Sequence, residues 1–316
     1  MVKWLFLCIG SIAFGAPPFE ASVRREPPLV QAFQYSYEHN NFERAKRQHR
    51  AIPKIIHHIW LGGDLPDAYK DLVASWKRLH PTWQHIFWGD AESESFPFIN
   101  RAAFDTAENP AMKADIWRYE ILHRYGGLYV DTDFEALMPL DDIHKSHEFY
   151  VGCHPDGAVN NALTGSVPYH PLLQACIDSI GKLDMGEVQT PLDIQNTTGP
   201  LLLTREVAKS IVKGERHIAV YPPPFFYPLG AASFAKRGVG TPDERSGVLQ
   251  EVRGNVTRAV HYFAQSWVDA RQRSVDSESI QGGEGVDKAD LHRHIDENDS
   301  ERHVVNSATS EQRCLE

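Results

Sequence analysis

The stretch from Asn109 to Leu140 constrains this chain more than any other. A helix that begins with proline, a Gly-Gly stop and a short apolar strand follow one another there. The strand, residues 128–130, leads directly into Asp131-Thr132-Asp133. Both carboxylates should therefore emerge where a buried strand ends, which is the edge at which open α/β sheets usually bind ligands.

The pair Asp131 and Asp133 is a candidate cation site. Carboxylates two residues apart lie on the same side of an extended backbone, so both can approach one hard cation. Such an ion could bridge a diphosphate. The alternative is a solvated acidic turn, which is the commoner explanation of an isolated Asp-x-Asp. The apolar strand before the pair and the apolar residues that resume at Phe134 favour the cation site.

A longer pattern surrounds the two aspartates. The segment AMKADIWRYEILHRYGGLYVDTDFEAL, residues 111–137, and the segment IPKIIHHIWLG, residues 52–62, resemble glycosyltransferase family 32. That family includes fungal initiation-specific α-1,6-mannosyltransferases and inositol phosphoceramide mannosyltransferases, and it shares a DXD-containing sugar-binding region with the clostridial glucosylating toxins. The likeness covers about Ile52 to Asp269. It implies an α/β fold of the GT-A type, a single Rossmann-like domain with a mostly parallel sheet.

The resemblance also implies an activity. It predicts a metal-dependent, retaining transferase that moves a hexose, most simply mannose from GDP-mannose, to a hydroxyl of a glycan or glycolipid. Asp131 and Asp133 would hold Mn²⁺ or another divalent cation. Two rivals stay open, a non-catalytic sugar-binding subunit of a mannosyltransferase complex and a transferase that uses a UDP-hexose. Nothing in residues 54–60 distinguishes guanine from uracil.

The resemblance assigns donor-binding roles to four further residues. Asp115 and Arg118 would contact the donor sugar and its phosphates; the alternative is an i,i+3 ion pair on a solvated helix face. Trp60 would lie near the donor, although a core tryptophan is an equal alternative. Asn161 would lie near the donor hydroxyls, but Asn-Asn is also ordinary turn chemistry.

A late segment, residues 261–267, resembles the family's H…SW motif. His261 would complete the cation shell through a neutral imidazole nitrogen, while the Ser266 hydroxyl and the Trp267 indole N–H would donate to a phosphate. The alternative for His261 is a structural histidine.

Helix and strand patterns alternate before the aspartates. Residues 54–60 and 84–88 read as strands, and residues 66–80 as an amphipathic helix between them. This alternation predicts parallel strands. The 316 residues, 42% of them hydrophobic, are enough for one sizeable core.

The chain divides into four predicted parts. Composition predicts a signal peptide or short signal-anchor at residues 1–16, a polar stem at 17–50 and a disordered polar tail at 270–316, and the resemblance implies that 51–269 form the glycosyltransferase domain. The first part predicts entry into the secretory pathway, with the Golgi lumen or secretion as the destination, and leaves open a membrane association through that segment. Three glycosylation sequons agree with this route, at Asn196, Asn255 and Asn298.

Charge and cysteine content limit the partners. A net charge of −10 without a basic block argues against nucleic acid. Apart from Cys8 and Cys314 near the ends, the chain has Cys153 and Cys176. A disulfide between these two and a pair of buried free thiols are both open.

Overall fold

The computed structural model describes residues 27–39, 50–188, 190–215, 217–230, 239–252 and 256–264. The predicted signal segment, Ser266, Trp267, the sequons at Asn255 and Asn298 and the predicted tail lie outside these residues.

A six-stranded sheet organises the described residues. The strands are β1 (Ile55–Ile59), β2 (Gln84–Trp88), β3 (Gly127–Val130), β4 (Phe134–Ala136), β5 (Phe149–Cys153), β6 (Val159–Ser166), β7 (Ile218–Tyr221) and β8 (Ala259–His261). The order is β2-β1-β3-β6-β5-β7, while β4 and β8 form a separate antiparallel pair. In the large sheet β6 runs antiparallel to both its neighbours, and the other pairs are parallel. The predicted α/β class with a mostly parallel sheet is confirmed.

Helices cover both faces of this sheet, and separate apolar clusters fill the two layers. The helices are α1 (Pro27–His39), α2 (Asp67–Leu79), α3 (Asp90–Ser95), α4 (Arg101–Thr106), α5 (Pro110–Tyr125), α6 (Asp141–His144), α7 (Pro171–Ile180), α8 (Pro191–Thr197), α9 (Pro200–Val212) and α10 (Pro242–Val252). Short 3₁₀ turns lie at Met185–Glu187 and Pro223–Phe225. Among the described residues, none of the helices has both the length and the hydropathy needed to span a bilayer.

The helix that leads to the aspartates begins and ends as the sequence predicts. The Asn109 side chain accepts a hydrogen bond of 2.8 Å from the backbone N–H of Ala111, so it caps α5. Gly126 ends the helix with φ +63°. A Cβ there would lie 2.6 Å from Cδ of Pro168, so only glycine fits this tight passage into β3.

Strand β6, whose pairing with β5 is irregular, places Asn161 beside the end of β3. The sequence interpretation of Asn160-Asn161 as a turn is wrong, because both residues lie within β6. The β5–β6 register shifts between Val151 and Gly152, and the backbone N–H of Asp131 donates to the carbonyl of Ala162 at 2.8 Å. Such bulges often re-aim side chains beside functional sites.

The region assigned to a polar stem contains helix α1. Phe33 is fully buried, the Tyr37 ring packs edge-on against Tyr221 at 5.5 Å, and the Ser36 hydroxyl donates to the carbonyl of Ile218 at 2.5 Å. The helix therefore covers β7, the edge strand of the large sheet, which protects that edge from pairing with another chain.

Cys153 and Cys176 are buried free thiols, so of the two alternatives the free thiols are confirmed and the disulfide is wrong. Both side chains lie in the apolar cluster on one side of the sheet. Burial raises the pKa of each thiol well above its ordinary value, which keeps both protonated and unreactive.

Candidate active site

A cleft of about 420 Å³ opens at the end of β3. Its lining includes every described residue predicted for the donor or the cation: Trp60, Asp115, Arg118, Asp131, Asp133, Asn161 and His261. These residues come from β1, α5, the end of β3, β6 and β8, so the fold brings together side chains up to 201 positions apart in the chain.

Asp115 and Arg118 form a buried ion pair, with 3.0 Å between Asp115 Oδ1 and Arg118 Nη2. Their side chains are only 8% and 5% exposed, so the alternative of a solvated helix face is wrong. The Asn161 amide donates to Asp115 Oδ1 at 2.8 Å, and the Thr198 hydroxyl donates to Oδ2 at 3.2 Å. Burial raises the pKa of Asp115 to about 6, although Arg118 and these donors act in the opposite direction.

The guanidinium of Arg118 reaches a second carboxylate. Its Nη1 lies 3.2 Å from Asp131 Oδ1 and also donates to the carbonyl of Asn161 at 3.0 Å. The guanidinium carbon lies 4.5 Å from the centre of the Tyr129 ring, and the Tyr129 hydroxyl donates to Asp131 Oδ1 at 2.7 Å. Each of these described contacts to Asp131 uses Oδ1, which leaves Oδ2 for a ligand in the cleft.

The second aspartate is held by the C-terminal part of the described chain. Asp133 Oδ1 lies 3.0 Å from His261 Nε2, and Oδ2 accepts the backbone N–H of Ala264 at 2.8 Å. The His261 ring stacks on Phe134, with centroids 4.6 Å apart and planes 7° apart. Phe134 is also the cross-strand partner of His261. Backbone pairing and ring stacking on Phe134 together fix the position of His261.

Asp131, Asp133 and His261 fit a divalent cation. One ligand atom from each lies within 4.8 Å of the others. Adjacent ligands of an octahedral ion at about 2.1 Å are about 3.0 Å apart, which matches the 3.0 Å between His261 Nε2 and Asp133 Oδ1. Nε2 is the ring nitrogen of His261 that faces Asp133, and the buried Nδ1 has no hydrogen-bond partner among the described residues.

The two aspartates differ in their electrostatics. Burial raises the pKa of Asp131, with the Asp133 charge adding to it and Arg118 opposing it. Burial acts to raise the pKa of Asp133 as well, but the charge and hydrogen bond of His261 and the N–H of Ala264 outweigh it, so this pKa is lowered. Asp133 is therefore the carboxylate that stays ionised most firmly.

Trp60 lies at the rim of the cleft and is partly exposed, so it is not a core tryptophan. Its ring contacts the Tyr69 ring of α2 with centroids 5.1 Å apart. The backbone N–H of Trp60 donates to the carbonyl of Trp88 at 3.0 Å, which ties the end of β1 to β2. An indole face at this position is available to a flat ligand.

Sequence reasoning missed three residues that hold the predicted ones. These are Tyr119, whose hydroxyl accepts from the Asn161 amide at 3.2 Å, together with Tyr129 and Thr198. Tyr129 carried a signal, because it precedes Asp131 by two residues in a strand and so lies on the same side. Tyr119 carried one as well, because it lies one helical turn after Asp115, whereas the contact of Thr198 with Asp115 joins segments far apart in the chain.

Residues 66–150 match the family described as glycosyltransferase sugar-binding region containing DXD motif. The resemblance to that family is confirmed. The chain is 33% identical over 157 residues to inositol phosphoceramide mannosyltransferase 2 of Schizosaccharomyces pombe, an alignment that covers 48% of this chain and 45% of the relative. It is 34% identical over 161 residues to mannosyl phosphorylinositol ceramide synthase SUR1 of Saccharomyces cerevisiae, covering 48% and 41%.

A more distant relative is the initiation-specific alpha-1,6-mannosyltransferase of Candida albicans, 25% identical over 40% of this chain and 34% of the relative. The chain thus spans about half the length, or less, of these three relatives. Among solved structures, the PaToxG glycosyltransferase aligns with 59% of this chain and 82% of its own, at 15% identity and a TM-score of 0.45.

Proposed function

We propose that this protein is a metal-dependent retaining glycosyltransferase. It moves a hexose, mannose from GDP-mannose in the first instance, to a hydroxyl of a glycan or glycolipid acceptor. The observation that carries the proposal is the convergence of Asp115, Arg118, Asp131, Asp133 and His261 on one cleft, with the first four inside residues 66–150 that match the DXD family. The mannosyltransferase names of the relatives support the choice of sugar.

The donor would lie between the rim and the buried ion pair. Trp60 would contact the nucleoside, and Arg118 would face the diphosphate. Asp115 would accept hydrogen bonds from the hexose hydroxyls, with Asn161 beside it. Because Asp115 and Arg118 are held by Asn161 on β6 and by Thr198 at the α8–α9 junction, the hexose would be held in one orientation before reaction.

Departure of the nucleoside diphosphate is the step that this cleft would assist. A divalent cation held by Asp131, Asp133 and His261, with Mn²⁺ as the first candidate, would offset the charge that develops on the diphosphate. Arg118 is buried and stays protonated, and it lies 3.2 Å from Asp131. Its positive charge would therefore be fixed beside the diphosphate. The protein groups are in place before the charge forms.

Retention follows from how the carboxylates are used. The described lining of the cleft contains four carboxylates, those of Asp115, Asp131, Asp133 and Asp156. The first three are assigned to the sugar or the cation. Asp156 Oδ1 accepts the backbone N–H of Ala158 at 2.8 Å and lies 3.2 Å from His154 Nδ1. No carboxylate with an assigned role is left to serve as base for an inverting attack, which favours retention.

Two other functions are open. A non-catalytic sugar-binding subunit would bind the donor without breaking it, and a transferase of UDP-hexoses would differ only in the base and sugar it accepts. The test is a panel of GDP- and UDP-sugars with Mn²⁺, scored for hydrolysis of the donor and for transfer, with EDTA as the control. We expect turnover of GDP-mannose and an α-linked product by NMR. A β-linked product contradicts retention, turnover confined to UDP-sugars contradicts the donor, and binding without turnover identifies the subunit.

Asp115→Ala should abolish transfer while leaving the nucleotide bound. The variant removes the acceptor for the sugar hydroxyls, but Arg118 keeps its contact with Asp131, so we expect transfer to fall at least about 100-fold. The affinity for the free nucleoside diphosphate should change by less than about 3-fold. Calorimetric titration and transfer assays measure the two quantities.

The matched control for Asp115→Ala is Asp105→Ala. Asp105 forms an exposed helical ion pair with Arg101 on α4, at 2.9 Å and away from the cleft. This control should transfer normally, since exposed pairs contribute little. If Asp115→Ala lost thermal stability and activity in parallel, a purely structural ion pair would explain the residue instead.

We further propose that the protein enters the secretory pathway and acts in the Golgi lumen or after secretion. The apolar segment near residue 10 and the sequons support this route. Of the three sequon asparagines, Asn196 lies on α8 within the described chain and is partly exposed. Endoglycosidase-sensitive glycans on the protein expressed in its host would test the route.

A further inference from the structure

The two segments that supply the cation ligands are joined by a short ladder. Strand β4 follows Asp133 directly, and β8 ends at His261. Their pairing has three registered residue pairs, Phe134 with His261, Glu135 with Val260 and Ala136 with Ala259. A two-stranded ribbon of this length is marginal by itself. The position of His261 relative to Asp133 therefore depends on what packs against the ladder.

The two faces of the ladder carry different groups. Phe134 and His261 lie on one face, and of the two His261 lines the cleft. Glu135 and Tyr262 lie on the other, because side chains alternate along a strand. The Tyr262 hydroxyl donates to Glu135 Oε2 at 2.7 Å, which adds a side-chain bond between the two strands. Glu135 lies two residues after Asp133, and Tyr262 lies one residue after His261. The bond therefore links the segments that carry these two ligands.

Helix α10 places the guanidinium of Arg245 beside the face that carries Glu135 and Tyr262. Arg245 Nε lies 3.9 Å from Glu135 Oε2, and the Arg245 side chain is only 9% exposed. Arg245 Nη1 also donates to the carbonyl of Gly240 at 3.1 Å, so the guanidinium is fixed. Val248 and Val252 of α10 share an apolar cluster with Val260 and Tyr262. The helix thus holds the polar contact in a largely buried place.

We propose that Tyr262 and Glu135 are positioning residues that set the affinity of the cation site. The inference rests on the proposed function, because it takes Asp131, Asp133 and His261 as cation ligands. Neither positioning residue touches the cation; their hydrogen bond fixes the spacing of the β4 and β8 ligands from the opposite face of the ladder. Groups that hydrogen-bond directly to metal ligands typically change metal affinity 10- to 100-fold when they are removed, and because these residues act through the strands we expect the lower end of that range.

The test is calorimetric titration of Mn²⁺ into the full chain. Tyr262→Phe removes one hydroxyl and keeps the ring in its apolar cluster. We expect about 10-fold weaker Mn²⁺ binding. Glu135→Gln keeps an oxygen that can accept from Tyr262, so its affinity should lie within about 3-fold of the wild type. A Glu135→Gln affinity close to that of the wild type would show that the hydrogen bond, and not the carboxylate charge, sets Mn²⁺ binding.

Tyr150→Phe is the matched control. Tyr150 is also buried, and its hydroxyl also has one described side-chain partner, His144 Nδ1 at 3.1 Å, outside the cleft. Tyr262→Phe and Tyr150→Phe should lose similar thermal stability, but only the first should lose Mn²⁺ affinity. Equal Mn²⁺ affinity in Tyr262→Phe and wild type, or equal loss in the control, overturns the positioning role alone. A wild type that binds no Mn²⁺ overturns the cation site of the proposed function as well.

Discussion

Asp133→Asn is expected to weaken Mn²⁺ binding by at least about 100-fold, beyond what the loss of a supporting group causes. Transfer should fall by about 100- to 1000-fold, the range found when a group that stabilises developing charge is removed. The substitution keeps the shape of the side chain. It removes the carboxylate whose lowered pKa keeps it ionised beside His261.

The geometry explains why asparagine is a poor substitute at position 133. One oxygen of Asp133 accepts the N–H of Ala264 at 2.8 Å, and the other lies 3.0 Å from His261 Nε2. An asparagine has one oxygen for these two positions. If its oxygen faces Ala264, its NH₂ group occupies the ligand position and has no lone pair to offer. If its oxygen faces the cation, two N–H donors oppose each other at Ala264.

Mn²⁺ titration and a transfer assay measure both effects of Asp133→Asn. The control is Asp67→Asn, which removes one negative charge from an exposed pair with Lys70 outside the cleft. The control should bind Mn²⁺ and transfer sugar as the wild type does. Wild-type turnover should also disappear with EDTA and return with Mn²⁺. Normal turnover of Asp133→Asn without added metal would show that the cation site is assigned wrongly.

Local pattern was enough to predict the central part of the fold. Residues 110–125 have a capped start, an apolar stripe and a glycine end, so their helix follows from short-range rules. The same holds for β1, β2 and β3, where apolar runs lie between turn signals. The two aspartates at the end of β3 were found for this reason. The burial of Asp115 and Arg118 was not predicted, because it depends on segments far along the chain.

Long-range pairing accounts for what the sequence could not predict. Strand β4 has three residues and pairs with β8 across more than 120 positions, so neither has a local signal strong enough to identify it. In β6, Asn160 and Asn161 are typical turn residues, but pairing with β3 and β5 overrides that preference. The role of Thr198 at Asp115 arises in the same way, from the packing of the α8–α9 junction on α5.

The same long-range packing makes the protein sensitive to acid. Four buried histidines, His57, His58, His144 and His170, have pKa values lowered by burial to about 4 from the ordinary 6.5. Two ring nitrogens accept from groups that can only donate: the Trp88 indole donates to His57 Nδ1 at 3.2 Å, and the Leu172 N–H donates to His170 Nδ1 at 3.2 Å. Protonation of either nitrogen would break its bond and bury a charge.

Stability should therefore fall steeply as the pH drops from 6.5 towards 4. The unfolded chain takes up protons at these histidines near pH 6.5, whereas the folded chain does so only near pH 4. Between these values the unfolded state holds more protons, so acid favours it. Asp115 opposes the trend, because its pKa of about 6 makes the folded chain take up one proton early. For these five groups together the difference is about three protons near pH 5, or about 4 kcal/mol per pH unit.

Since a typical domain is stable by only about 5–15 kcal/mol, a slope of this size should remove a large part of the free energy of unfolding by about pH 5. Urea unfolding at pH 7.5, 6.5, 5.5 and 5.0 measures the slope. His170→Asn provides a matched variant, since the asparagine oxygen can still accept the Leu172 N–H at the start of α7 but does not titrate. We expect this variant to keep its stability at pH 7.5 and to reduce the slope by about one proton. A free energy of unfolding that is constant from pH 7.5 to 5.0 would show that these histidines are not held neutral by the fold.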